Sequence, residues 1–349
     1  MTQEISPVRK RATIYEVAAL AGVSHQTVSR YLRNNGGLKP TTTEKVAAAI
    51  QELNYRPNLI ARSMRTRRTG RVAFLLPTTT ATPALPLRLI SEAVGVAHGA
   101  GYTIDLIGRE GSAGEQSERV QEIADSGEFE GILALGTGTQ APTPTSATPV
   151  VTMSTYDAEL RGTGALADGT ACGEIVRMLV GLGHRHFLHV SGPLTYTSAR
   201  NRRQTFLDVT AELGVEATVF LGDWQGESGY EAIATLPRDS PVTAVVAGND
   251  YSAMGAIRAA TQRGWRVHRD LSVFGWDDNG LGRFCTPTLS TVANDLERQG
   301  REAMERLIAL MRHEEPPAAD PRSLHRVLPR ESVGVAPTRR PRLRAVPRS

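Results

Sequence analysis

Three polar side chains, His25, Gln26 and Arg30, follow Ser24, a residue type that caps helix N-termini, so a helix begun there projects them together. A guanidinium offers two parallel donors that match guanine O6 and N7, and a glutamine amide pairs with adenine N6 and N7. The hydroxyls of Thr27 and Ser29 are of the kind that bind phosphate oxygens. These types at this spacing point to the reading of base edges, against the plainer alternative of a solvated polar face.

A second group lies far along the chain. Trp224, after Gly222 and Asp223, offers a ring face on which a sugar stacks, while Arg202, Asn249 and Asp277 supply donors and acceptors suited to vicinal hydroxyls. Taken singly each has a structural alternative: a lone tryptophan is more often core, and Asn249 with Asp250 can simply cap the helix that follows.

Other chemistry finds little support. Asp277 and Asp278 are adjacent and point in different directions, so they do not form the paired carboxylates of a carbohydrate-cleaving enzyme. Gly136-Thr137-Gly138 lacks the full dinucleotide fingerprint, and no nucleophile elbow or triad stands out. His184, His186 and His189 resemble a metal cluster, but two of them alternate along a strand. Cys172 and Cys285 are too far apart in sequence, and lack the spacing, for a disulfide framework or a zinc site. No catalytic activity, metal or cofactor is expected.

The elements that must position these groups follow from periodicity. Ile14, Val17, Ala18, Leu20 and Ala21 share a helical face, Gly22 breaks it, and the helix after Ser24 carries Val28, Tyr31 and Leu32 inward. A third helix is expected over Thr43 to Leu53, with Thr41 and Glu44 at capping-box spacing. From Arg71 the texture changes to apolar runs such as VAFLLP, TIDLIG, GILAL, PVVTM, HFLHVSG, TVFLGD, TAVVAG and LSVFGWDD, most of them separated by helix-length segments. Alternating β and α units imply an α/β fold with doubly wound parallel sheets, and that many strands imply two lobes.

Charge divides the chain in the same place. Residues 1–70 hold twelve bases against four acids, a surplus of +8, and the last thirteen residues add five arginines and no acid. With +4 overall, the segment 71–336 is left at −9, an acidic body under a basic head whose expected partner is a polyanion. No apolar stretch is long enough to span a bilayer and no apolar secretory core opens the chain, so a cytoplasmic location with no membrane partner is expected.

The run Thr13-Ile14-Tyr15-Glu16-Val17-Ala18, then Ala21-Gly22-Val23-Ser24 to Arg30, Glu44-Lys45-Val46 and Tyr55-Arg56-Pro57-Asn58 resembles the LacI/GalR repressor family. The likeness continues through Gly181-Leu182-Gly183-His184, Ser198 to Arg202, Gly222-Asp223-Trp224, Ala247 to Asp250 and Ser272 to Asp278, in the family's order. It implies a helix-turn-helix head on a bilobed body like a periplasmic binding protein. It also implies a homodimer on a pseudo-palindromic operator, and repression of sugar-utilisation genes lifted by a sugar. A purine or sugar-phosphate co-repressor is the alternative, and a sugar-binding transport receptor would share the body without the basic head.

Residue by residue, the resemblance adds Thr13, Ile14 and Tyr15 to the DNA contacts and makes His25 the position where the family varies its operator choice. It implies a hinge helix in the minor groove, with Asn58 and Ala61 beside it and Met64 wedged into the central base step. By position, Ser198 and Tyr251 join the effector set, and the lobe-one acid that some members use falls near Ser154. The implied organisation is a basic arm at 1–11, the head at 12–57, the hinge and linker at 58–70, and the body at 71–336. Within the body, lobe one takes about 71–165 and 293–323, and lobe two about 166–292 and 324–336. The tail at 337–349 is read as disordered: its three prolines break any heptad seam and favour a dimer over a tetramer.

Overall fold

A computed structural model describes residues 12–32, 38–55, 68–77, 86–111, 113–136, 147–153, 164–318, 320 and 322–338. Two compact units divide at Gly70.

The first unit is a three-helix core: α1 (Ile14–Ala21), α2 (His25–Leu32) and α3 (Pro40–Glu52). Thr13 caps α1, its Oγ1 accepting the Glu16 N–H at 3.3 Å while the Glu16 carboxylate accepts the Thr13 N–H at 2.6 Å. Gly22 ends α1 at φ 63°, a left-handed conformation that glycine adopts without a Cβ penalty, and the chain turns directly into α2. Val17, Val28 and Val46, one from each helix, are fully buried together. The third helix starts earlier than its sequence pattern suggests. Pro40 opens it, with a fixed φ and no N–H to leave orphaned, and Lys39 precedes it without a side-chain cap, so the Thr41–Glu44 capping box is not the start signal.

In the second unit the apolar runs become strands of two four-stranded parallel sheets. The first has the order β2 (Thr103–Arg109), β1 (Arg71–Pro77), β3 (Gly131–Leu135), β4 (Val150–Met153). One of its faces is covered by α4 (Leu87–Gly99) and α10 (Leu296–Arg312), the other by α5 (Ala113–Asp125). The second sheet has the order β6 (Glu216–Leu221), β5 (His186–Ser191), β7 (Ala244–Ala247), β8 (Ser272–Phe274). Here α6 (Thr170–Gly181) and α7 (Thr197–Glu212) pack one face, and α8 (Gly226–Ala234) and α9 (Asp250–Gln262) the other. Each sheet is therefore wound on both sides, as near-continuous apolar strands require.

Two short strands, β9 (Thr291–Asn294) and β10 (His325–Leu328), pair antiparallel in a separate ribbon, His325 opposite Asn294. They flank α10, which belongs to the first sheet, while Phe274 of β8 bridges to Ser290 just before β9. The polypeptide thus passes between sheets along this ribbon. Strand β10 stops at Leu328, because Pro329 has no N–H for the ladder and Ser332 bonds instead to Val273 and Ser290.

Helices α8 and α9 approach closely enough that a Cβ on Gly229 would stand 1.8 Å from the Ser252 carbonyl oxygen, and one on Gly255 1.8 Å from that of Gly226. Backbone cannot yield as a flexible side chain would, so Gly255→Ala is expected to destabilise the body by about 1–3 kcal/mol or more. A lowered unfolding midpoint checks this; an unchanged one would mean that the helices separate at no cost.

Candidate nucleic-acid interface and effector site

In the head, Ser24 Oγ accepts the Thr27 N–H at 3.2 Å and shares a 2.9 Å bond with the Thr27 hydroxyl, fixing the first turn of α2. Val28 and Ser29 (5% exposed) then point into the core, which turns His25, Gln26 and Arg30 outward. Gln26 and Arg30 are four residues apart and share a face. Tyr15 is 67% exposed and its ring centroid lies 5.3 Å from that of His25, so the first helix buttresses the start of the second. Thr13 is exposed and Ile14 half-buried beside them. The structure sets Ser29 apart from this surface: it is buried with the core. Asn58, Ala61 and Met64 lie outside the described residues.

In the body, the loops after all four strands of the second sheet contribute to one neighbourhood: Gly192 after β5, Trp224 after β6, Asn249 after β7 and Trp276 after β8. Doubly wound sheets bind ligands at the carboxyl ends of their strands. Trp224, at φ 72°, lies against Gly192 and Gly248, where an added Cβ would come within 2.2 Å and 2.8 Å of the ring. Only glycine lets the indole settle there. Tyr196 meets its edge at 5.9 Å.

Arg202, one turn into α7 and 6% exposed, donates from Nη1 to the Gly248 carbonyl at 2.7 Å and lays its guanidinium 3.9 Å from the Trp276 ring centroid and 5.7 Å from that of Trp224. Burial lowers its pKa, and the charge of Asp277 pulls it back up. Asp277 is reached by solvent yet closely surrounded by protein. Burial raises its carboxyl pKa, against the opposing pull of Arg202 and of Asn294 Nδ2, which donates at 3.1 Å.

The turn bearing Asp277 is tied down from below. Asp277 and Asp278 sit at φ 100° and 48°. The Asp278 carboxylate accepts from Arg283 at 2.7 Å and Arg330 at 2.5 Å, and Asp250 accepts from the Asn279 N–H and the Thr291 hydroxyl, both at 2.6 Å.

Of the remaining sequence candidates, Ser198 is buried on the first turn of α7, one turn before Arg202. Asn249 caps α9, accepting the Ser252 N–H at 2.9 Å, and donates to the Trp224 carbonyl at 2.8 Å. It orients the tryptophan, and the capping alternative weighed from sequence is the one realised. Tyr251, 44% exposed on α9, is not brought into the group, and Ser154 lies outside the described residues.

Sequence reasoning missed Trp276, Asn294 and His325. Trp276 lay in the SVFGWDD run and was read as strand; the other two become neighbours only once β9 and β10 pair. His184 and His189 are spent on Ser272, Gly334 and Val246, and no group of metal-ligating side chains occurs among the described residues. Nor is any described helix long and apolar enough to cross a membrane.

Residues 13–58 match the family model of bacterial regulatory proteins, lacI family, and residues 176–333 match a periplasmic binding protein-like domain. An HTH-type transcriptional repressor PurR of Proteus mirabilis (strain HI4320) is 32% identical over 310 residues, covering 85% of this chain and 89% of that protein. The chain belongs to the LacI family. The Ribose operon repressor of Escherichia coli (strain K12) is 29% identical over 311 residues, with 85% and 92% covered. Among solved structures, the Lac repressor dimer bound to operator and the anti-inducer ONPF aligns at a TM-score of 0.63 and 26% identity, over 93% of this chain and all of that one. A transcriptional regulator CelR–cellobiose complex aligns at 0.55 and 26%, over 92% and 100%. This LacI-family member is thus a DNA-binding repressor with an effector-binding body, and not an enzyme.

Proposed function

We propose that this repressor acts in the cytoplasm as a homodimer on a pseudo-palindromic operator of sugar-utilisation genes, and that a neutral mono- or oligosaccharide bound between its lobes releases it. The observation that carries the ligand class is the buried Arg202 guanidinium laid against the Trp276 ring and near that of Trp224, with the Asp277 charge acting on it. Aromatic faces with a buried donor and a nearby carboxylate suit the apolar face and hydroxyls of a sugar. Similarity to a cellobiose-bound regulator and to a Lac repressor dimer on operator supports the same reading.

In this reading Gln26 and Arg30 read base edges and His25 tunes operator choice. Thr13, Ile14, Tyr15, Ser24 and Thr27 serve the backbone contacts, and Ser29 packs behind them in the core. Asn58, Ala61 and Met64 work at the minor groove of the operator centre, Met64 as the wedge. Ser198, Arg202, Trp224 and Asp277 hold the sugar, Asn249 acts through Trp224, and Ser154 is the proposed contact from lobe one by its place in the sequence. The organisation proposed is an arm at 1–11, head at 12–57, hinge at 58–70, two-lobed body at 71–336 and basic tail at 337–349.

The test pairs calorimetry with operator release. A neutral sugar is expected to bind and weaken operator affinity, and operator to weaken sugar binding by the same factor, since coupling is reciprocal. A purine or sugar phosphate that binds and tightens the operator complex would install the co-repressor reading instead.

A further inference from the structure

Buried polar atoms nearly always have hydrogen-bond partners, and each exception calls for an explanation. In the body several exceptions gather where the chain passes between the sheets. The indole N–H of the fully buried Trp276, Arg202 Nε, Asn294 Oδ1 and both ring nitrogens of His325 are shut from solvent without a partner. Geometry makes them one cluster: the Arg202 guanidinium lies 3.9 Å from the Trp276 ring centroid, His325 meets the same indole edge-on at 5.2 Å, and Asn294 is opposite His325 in the ribbon. On the first-sheet side, Gln299 of α10 is 6% exposed with both amide atoms unpartnered, and it lines a cavity of about 1170 Å³ with Thr152, Asp168 and Leu324.

The chemistry of the cluster defines its complement. Trp276 and Arg202 only donate, and Asn294 Oδ1 only accepts. His325 does one of each: burial first, then Arg202, push its pKa down to about 4 against the opposing pull of Asp168, which leaves the ring neutral. A hydroxyl both donates and accepts and answers every member. A carboxylate or phosphate only accepts, so it leaves Asn294 and half of His325 unmet. Charge agrees, because the Asp277 carboxylate acts on Arg202, and Asp168 adds an anion near His325.

We propose that His325 is an effector-binding residue, presented by β10 together with Asn294 to adjacent hydroxyls of an uncharged polyol. This rests on the sugar reading above and couples the ligand to the lobe arrangement, since β10 is part of the ribbon that links the lobes. In the arrangement described, the His325 nitrogens are closed to solvent, so a polyol satisfies them only after the lobes shift. That difference between two states is what a ligand needs in order to move an equilibrium.

The experiment uses the full chain carrying His325→Leu or His325→Gln. Each is titrated calorimetrically with D-ribose, D-glucose, D-galactose, lactose and cellobiose, with ribose 5-phosphate and hypoxanthine as controls, and melted without ligand. The wild-type chain is expected to bind a neutral sugar, His325→Leu to bind it about tenfold more weakly, and His325→Gln to recover most of the loss. Without ligand, His325→Leu is expected to melt at or above the wild-type temperature, because it removes an unpaired buried polar ring. A structural histidine would do the reverse. Unchanged sugar affinity in His325→Leu, or a lowered melting temperature in both variants, overturns the proposal while leaving the sugar reading intact. Binding of only hypoxanthine or ribose 5-phosphate, or of no probe, overturns both.

Discussion

Arg30→Ala is expected to cost about 1–3 kcal/mol of operator affinity, roughly fivefold to 150-fold, while binding to random DNA falls far less. The reason lies in where the side chain stands. Arg30 is exposed on α2, on the same face as Gln26, and the fully buried Val28 fixes that face outward. A guanidinium held there presents two donors in the geometry of a guanine edge, an interaction that only the correct base returns. A phosphate contact would behave differently, weakening all sequences alike and reducing the salt dependence by about one counterion. Titrations on operator and scrambled duplexes at several salt concentrations separate the two. Equal losses on both DNAs would move Arg30 from base reading to backbone contact. Because Arg30 lies outside the three-helix core, the variant's melting temperature should match the wild type, so the lost affinity is not a folding defect.

The large features were legible because they depend on short-range pattern. Each apolar run from VAFLLP to LSVFGWDD is a strand or contains one, and the residues between most of them form the covering helices. The head was readable for the same reason, with Gly22 at φ 63° doing what its place between two helical patterns requires. What escaped depends on competition between local signals or on contacts far apart in sequence. At α3 two start signals overlap within five residues, and the proline prevails because its missing N–H needs no cap. Ser29 has the composition of a phosphate contact, yet it neighbours Val28 on the turn that faces the core. Asn249 could serve a ligand or a helix, and the bonds to Ser252 and Trp224 occupy it. His325 carries no motif; only the pairing with β9, 31 positions earlier at Asn294, brings it beside Trp276 and Arg202.

Asp277 is where removal of one group should separate the two activities most completely. Its carboxylate is the counter-charge of Arg202 and the acceptor for Asn294 Nδ2, and it sits on a turn held at positive φ by bonds that do not involve its own side chain. Asp277→Ala deletes the acceptor and also removes the negative charge that acts on Arg202. Asp277→Asn keeps the shape, tolerates positive φ, and removes only the charge. A charged hydrogen bond contributes about 1.5–3 kcal/mol, so either variant is expected to lose tenfold to about 150-fold in sugar affinity. Stability should divide the pair, with Asp277→Ala melting lower than Asp277→Asn, since alanine neither bonds to Asn294 nor suits the turn. Operator affinity should hold in both, because the residues proposed to read DNA belong to a separately folded unit. Release by sugar should therefore need proportionally more of it, displacing the release curve without changing its end point. The decisive comparison is that curve against calorimetry in the same buffer. Equal shifts in both place Asp277 in binding. A normal sugar affinity with failed release would instead assign Asp277 to the transmission between lobes, because a ligand that binds both arrangements equally well shifts neither.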